Sequence, residues 1–340
     1  MKLLSFLSFF FTASLNLVLA QRVEVRPAPL VFMPAPVDSN SPAFWRDGQL
    51  VILNSVGLVL TTSGRDQFYM EDDTTDRIDV ETAKNTPLWI EAVWVDTDGT
   101  MFAWYHHEPG GLCAGSSLTA PKIGALVSHD YGRSFIDLGI VLESGDPLDC
   151  RALNGFFAGG HGDFSVIPDR KNQYFYFLFT NYTGDPAGQG VAVARMAFED
   201  RFTPVGNVYK YYQGDWAEYG LGGRVTAVFP AKTRWERANA DSFWGPSVHW
   251  NTHLNTFVVL LNRACCQPRW PQEGIYVAFN PDLSKPFGWT EPRKILSDVG
   301  FSPGYYPQVL GMGPGETDSV AGKTARLYVH GLSYWELAFH

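Results

Sequence analysis

The sequence predicts an all-β fold, a five-bladed β-propeller closed by an N-terminal strand, and three observations carry the prediction. Five stretches repeat one pattern: residues 37–55, 87–107, 160–182, 243–263 and 305–331. Each opens with small, polar and aromatic residues, passes through a polar turn and continues into an apolar run, as supersecondary units of a radial or stacked array do. The composition agrees, with 15% aromatic residues, 18% charged residues, 33 Gly and 22 Pro, which suits many short strands joined by turns. Finally, RVEVRPAPLVF (22–32) precedes the first unit and belongs to no other, while the fifth unit lacks an outer strand because the chain ends at His340. Exchange of that strand joins the two ends of a ring and limits exposed edges.

The elements follow in order. MKLLSFLSFFFTASLNLVLA (1–20) has one lysine before an apolar run, and Val18 and Ala20 supply the small residues of a cleavage site. It reads as a signal peptide, which predicts a secreted protein beginning near Gln21 and a single propeller domain over 21–340. The second strands of the five units are LVILNS, MFAWYHH, YFYFLFTNY, FVVLLNR and ARLYVHG, and the third are GLVLTTS, KIGALVSHD, GVAVARMAF, GIYVAFNPD and WELAFH. β-Branched and aromatic residues dominate them, so they read as strands. A fourth strand is visible in FIDLGIVL (135–142), VYKYYQ (208–213) and WTEPRKIL (289–296). The equivalent positions 38, 91, 163, 245 and 306 are unevenly spaced, which places loops of unequal length on one face, the longest at 108–121, 143–159, 214–242 and 264–273.

No apolar stretch after the leader is long enough to span a bilayer. The net charge of −9 argues against nucleic acid and anionic membrane as partners. A monomer acting on carbohydrate is the expected state. All four cysteines lie in the exported part, where Cys113–Cys150 is the preferred pair with Cys265–Cys266 either a vicinal bridge or two thiols, the alternative being separate bridges from Cys265 and Cys266 to Cys113 and Cys150. Asn181-Tyr182-Thr183 is a glycosylation sequon.

SHDYGRSF (128–135) fits S-x-D-x-G-x-[ST]-[FW], and it resembles the Asp-box turn between the third and fourth strands of sialidase-like blades. Asp130 is therefore expected to hold a turn rather than to catalyse. The acids at the blade openings, together with Phe44-Trp45-Arg46-Asp47-Gly48 and D-L-x-x-P-x-x-W-x-x-P-x-x-I-L (282–296), resemble the five-bladed glycosidases, the arabinanase, xylosidase, invertase and levansucrase relatives. The resemblance implies a base or nucleophile at Asp38 and two further acids, Glu91 and Asp163, that tune the site and protonate the leaving group. The Arg-Asp-Pro or Asn-Asp-Pro text of those families is absent, and Glu91 stands where the common order has Asp, so substrate and stereochemistry do not carry over.

The residues themselves support a site. Glu91 lies among Trp89, Ile90, Ala92, Val93 and Trp94, where desolvation raises a carboxyl pKa and suits a proton donor, unless Arg151 or Arg224 neutralises it. Period-2 alternation points His161, Asp163 and Ser165 to one face. Asp38, before Ser39-Asn40-Ser41-Pro42, equally suits an Asx turn. His107, His161, His249, Trp89, Trp244 and Arg263 are the expected substrate-binding residues, with one or two tryptophans stacking on sugar rings. His249 and His253 are four apart on a strand-turn-strand segment, not a helix, so no metal ligand is assigned. No cofactor is required, although a single ion on the propeller axis, held by one histidine and waters, is compatible with the sequence. The expected function is glycoside hydrolysis by paired carboxylates. A polysaccharide lyase using His161 or His249 with a tyrosine, and a non-catalytic carbohydrate-binding propeller, are the alternatives.

Overall fold

The computed structural model describes residues 22–71, 76–81, 85–300 and 302–340, so the predicted signal peptide at 1–20 lies outside the described residues. Five sheets form the blades. Blade I comprises Ala43–Arg46, Gln49–Ser55, Val59–Gly64 and Asp76–Arg77. Blade II comprises Leu88–Val95, Met101–His107, Lys122–Ser128 and Ser134–Leu142, with Asp79–Glu81 added in parallel outside. Blade III runs outward from His161–Pro168 through Tyr174–Asn181, Gly190–Ala197, Val208–Tyr212 and Asp215–Tyr219. Blade IV comprises Ser242–Asn251, Thr256–Ala264, Gln272–Asn280 and Arg293–Leu296. Blade V comprises Pro307–Gly311, Thr324–Val329 and Leu332–Phe339, completed by Val23–Phe32. That closing strand pairs antiparallel with the last one, Val23 opposite Phe339 and Phe32 opposite Leu332, as the orphan run before the first unit predicts.

Alternating strands bury one row of side chains on each face, so adjacent blades share a core at every seam. Phe102 and Trp104 of blade II meet Phe164, Phe175 and Phe177 of blade III. Tyr176 and Leu178 meet Val248 and Val259 at the next seam, and Val258 and Leu260 meet Leu327 and Leu337 at the one after. Leu310 and Tyr328 pack on Ala43, Leu50 and Ile52 where the ring closes. Each fully buried aromatic ring contributes about 1.5–3 kcal/mol, and Trp104→Ala would cost about 3–5 kcal/mol.

Polar side chains bridge the blades near the axis. Asn40 donates from Nδ2 to the carbonyls of Phe164 (2.8 Å) and Pro246 (3.0 Å), tying the segment before blade I to blades III and IV. The Ser41 N–H donates to Gln308 Oε1 (2.6 Å), and Gln308 Nε2 returns a bond to the Ser41 carbonyl (2.7 Å). Asp38, whose own N–H donates to the Ser55 carbonyl (3.0 Å), is thus held by a segment pinned at both ends.

Asp130 holds the turn the sequence assigns to it. Its Oδ1 accepts from Ser128 Oγ and from the N–H groups of Arg133 and Ser134, and Oδ2 accepts from Ser134 Oγ. Against a desolvation penalty these bonds lower its pKa to about 2. Cys113–Cys150 and Cys265–Cys266 are both bridged, the second as a vicinal pair. The sequon asparagine is not available as a surface acceptor: Asn181 is buried and its Nδ2 donates to the carbonyls of Thr183 and Gly188.

Candidate active site

One cavity of about 230 Å³ takes wall residues from all five blades or the loops beside them. Its titratable groups of acid or histidine type are Asp38, His106, Glu108 and Asp163, and among the described residues no Lys or Arg lines it. Its aromatic wall is Trp89 from blade II, Phe156 and Phe157 from the 143–159 loop, Trp244 from blade IV, Trp270 from the 264–273 loop, and Tyr305 and Tyr306 before blade V. These rings form a packed layer. Tyr182 stacks on Phe157 at 4.2 Å between centroids, and Trp270 lies 5.7 Å from Trp244.

The inner strands of blades II, III and IV each slip register at or close to a residue of the cavity wall. The breaks fall between Ile90 and Ala92, between Gly162 and Phe164, and between Trp244 and Ser247. A bulge re-aims the extra residue and interrupts alternation. Asp163 (φ +40°) and Gly245 (φ +54°) take left-handed backbone conformations at two of these breaks, and Tyr306 (φ +51°), just before blade V, and Trp270 (φ +51°), in its loop, do so elsewhere on the cavity wall. For residues other than glycine this costs about 1–3 kcal/mol, and such strain gathers at functional sites.

The bulge corrects one expectation. His161 and Asp163 do not share a face: Asp163 lines the cavity, whereas the His161 ring packs 4.8 Å from Phe179 with both nitrogens buried. Burial, with the Lys210 charge nearby, pushes the His161 pKa well down. Ser165 Oγ instead accepts the Val248 N–H across the seam.

Asp163 is 3% exposed. Tyr182 donates its hydroxyl to Oδ2. Desolvation raises the Asp163 pKa to about 7, with the Glu91 charge adding to the rise and the His106 charge opposing it. Asp38 is exposed at the same cavity, and partial desolvation still raises its pKa, against the lowering influence of the Trp89 indole.

Glu91 lies behind this wall rather than on it. Its Oε1 is 3.1 Å from His106 Nδ1, and its Oε2 accepts the Phe164 N–H at 2.9 Å. Neither Arg151 nor Arg224 reaches it: they pair with Asp149 and Glu218. Complete burial raises the Glu91 pKa despite the His106 bond. His106 Nε2 lies 3.2 Å from Glu108, so the ring stands between two carboxylates. Burial disfavours its charge, but Glu108, Glu91 and Asp163 outweigh that and hold its pKa well above the usual histidine value. The Asp163 N–H also approaches Nδ1 at 3.1 Å. One nitrogen cannot donate to Glu91 and accept that N–H together, and the imidazolium selects the Glu91 bond.

Ligand atoms of Glu91, His106 and Asp163 lie within 4.8 Å of one another, a spacing a metal ion could bridge. However, His106 Nδ1 and both Glu91 oxygens already face protein partners, so the cluster is accounted for by shared protons. The other cluster, Asp241 with Cys265 and Cys266, offers no thiolates because the cysteines are bridged.

The remaining predicted residues divide between wall and surroundings. Trp89 and Trp244 line the cavity. His107 sits away from it with Nδ1 2.9 Å from the Pro87 carbonyl. His249 is buried against Phe339, its pKa pushed down to about 3 by desolvation. Arg263 is committed to Asp241 through Nε and Nη2 at 2.7 and 2.8 Å. Sequence reasoning missed Glu108, Tyr182, Phe156, Phe157, Tyr305 and Tyr306. The run His106-His107-Glu108, leaving a blade strand for a long loop, was the available signal for the first of these.

No protein-family model matches the sequence, and no curated protein matches it. Solved structures do. An α-L-arabinofuranosidase from Lactobacillus brevis superposes with a TM-score of 0.53 at 12% identity, covering 91% of this chain and 92% of that one. An exo-β-1,3-galactanase from Clostridium thermocellum gives 0.51 at 13% identity, covering 92% and 62%. The fold is shared with five-bladed glycosidases. An exo-β-1,3-galactanase from Phanerochaete chrysosporium gives 0.49 at 10% identity, covering 94% and 64%, so the chain spans just under two thirds of the length of either galactanase.

Proposed function

We propose that this chain is a glycoside hydrolase that releases a terminal, uncharged sugar from a glycan. The observation that carries the reading is a buried carboxyl, Asp163, on the wall of an aromatic cavity with a pKa of about 7, facing the same cavity as the exposed carboxyl Asp38. A group that keeps its proton near neutrality suits a general acid, and an ionised carboxyl on the same cavity suits a base or nucleophile. Asp163 then protonates the glycosidic oxygen, and Asp38 activates water or attacks the anomeric carbon. Glu91, which the sequence suggests as proton donor, acts through His106 as a positioning residue, because it does not reach the cavity.

A cavity of about 230 Å³ suits one sugar ring better than a run of them, which favours exo action. Carboxylates can accept bonds from sugar hydroxyls, and the absence of lining Lys or Arg disfavours a uronate there. The same absence, with His161 and His249 away from the wall, weakens the lyase alternative. The reading further takes the chain as exported after loss of 1–20, supported by two disulfides, and as acting alone.

The test is mass spectrometry of products after incubation of wild type, Asp38→Asn and Asp163→Asn with a panel of neutral and acidic glycans. Saturated monosaccharide from wild type alone is the expected result. Products lighter by one water would move the assignment to a lyase, and binding without turnover of any glycan would move it to a binding module.

A further inference from the structure

The loop that gives Phe156 and Phe157 to the cavity turns a second side outward. There a separate depression of about 280 Å³ is lined by Asp149, Arg151, Leu153, Arg234, Glu236 and Arg237. Its charge is unlike that of the cavity: three guanidinium groups face two carboxylates, in a chain of net charge −9. The pairings leave cations available. Glu236 is engaged by Arg234 (3.1 Å to Nη2) and by Gln189 Nε2 (2.9 Å). Arg151 reaches Asp149 only at 3.9 Å, with its side chain 97% exposed, and among the described residues Arg237 has no ion pair.

The depression and the cavity share a frame. The Leu153 N–H donates to the Glu236 carbonyl at 2.8 Å, and Asn154 Nδ2 donates to the carbonyls of both Phe157 and Trp235 at 2.8 Å. Trp235, between Arg234 and Glu236, packs its ring 4.4 Å from Trp270 of the cavity wall. Leu153 and Phe156 remain 67% and 47% exposed along the loop between the two. The five residue-to-residue steps from Arg151 to Phe156 span at most ~18 Å, within reach of a short oligosaccharide. Leu153 lines the depression and Phe156 the cavity, so exposed apolar side chains stand on the loop that joins the two.

We propose that this depression is a second glycan-binding site, which takes a uronate carboxylate on a chain whose uncharged terminal sugar occupies the cavity. The planar fork of arginine matches a carboxylate through two parallel N–H bonds. The second half of the proposal rests on the glycosidase reading; the first does not.

Calorimetry on the wild-type protein with short oligogalacturonates, the same oligomers methyl-esterified, and a sulfated oligosaccharide tests it. The acid form should bind about tenfold tighter than its uncharged ester. That preference should shrink with added salt and vanish in Arg151→Ala/Arg237→Ala, whose melting temperature should match wild type because both side chains are exposed. Equal binding of acid and ester, tighter binding of the sulfated oligomer, or a preference that survives the double substitution would overturn the assignment. Binding is the readout, so absence of hydrolysis would defeat the glycosidase reading and leave this site intact. Hydrolysis of neutral glycans without any acid preference would do the reverse.

Discussion

Blades III and IV open with the same backbone irregularity and place different chemistry on it. In blade III the residue in the bulge is Asp163, left-handed at φ +40° and set into the cavity wall. In blade IV it is Gly245 at φ +54°, which has no side chain to offer and leaves the wall to Trp244 beside it. Glycine adopts that conformation without strain, whereas aspartate does so at a cost of about 1–3 kcal/mol. The inner strands of blades II, III and IV thus share a register break, and the one in blade III sets a strained, buried carboxyl into the cavity wall. The fold alone gives no reason to tolerate that cost, whereas a proton donor at the site does.

The largest expected effect is loss of Asp163 function. Asp163→Asn should lower kcat by about 10²–10⁴-fold while the fold persists, as measured by steady-state rates beside circular dichroism. Wild-type activity should follow a bell. It should rise as Asp38, raised above its ordinary value, ionises, and fall as pH passes about 7 and Asp163 loses its proton. Full activity in Asp163→Asn would remove the distinction between the two blades.

The cation beside the bulge comes next. His106→Gln leaves Glu91 buried without its partner, which should destabilise the protein by about 3 kcal/mol in denaturant melts at neutral pH. It should also move the alkaline limb of the pH profile upward, because His106 lowers the Asp163 pKa more than Glu91 raises it. The acids facing His106 are Glu91, Glu108 and Asp163, with Asp38 across the cavity, and the neighbouring His107 is a base whose pKa the His106 charge helps to lower. A limb that stays in place would make His106 a packing residue only.

A smaller effect separates catalysis from stability. The folded pKa of Asp163, about 7, lies above the unfolded value near 3.9, so the folded state holds the proton more tightly. Its stabilising protonation is complete below the unfolded value and is lost as pH rises through 7. Asp163→Asn should therefore melt at the same temperature as wild type in acid and several degrees higher at alkaline pH. The opposite trend in a pH series of melts would show that the ionised carboxylate is the favoured form.

What the sequence made legible, and what it hid, follows the same division. Strand runs and the orphan segment 22–32 are periodic or positional signals, and they located the blades and the closure. The acids at 38, 91 and 163 were visible as equivalent points in a repeat. Their roles were not, because a bulge changes which way a residue faces without changing its spacing. Alternation put His161 beside Asp163, and the left-handed residue at 163 parted them. Glu91 looked like the wall because its neighbours are apolar, yet those neighbours are what seal it behind His106. Phe156, Trp270 and Tyr305 come from loops, and no period reports where a loop folds back.

The smallest effect probes the silent bulge itself. A Cβ at Gly245 would lie 3.2 Å from Asn262 Oδ1, at a φ that L-residues rarely adopt. Gly245→Ala should cost about 1 kcal/mol in denaturant melts from the left-handed backbone alone. Asn262 Oδ1 also accepts the Tyr306 N–H at 3.1 Å, so displacing it should loosen one ring of the cavity wall. KM should then rise by a few fold with kcat little changed, since Tyr306 shapes the pocket and Asp163 keeps its bulge. A fall in kcat as large as that of Asp163→Asn would mean that the bulges of blades III and IV act as one unit, and that the acid in one depends on the glycine in the other.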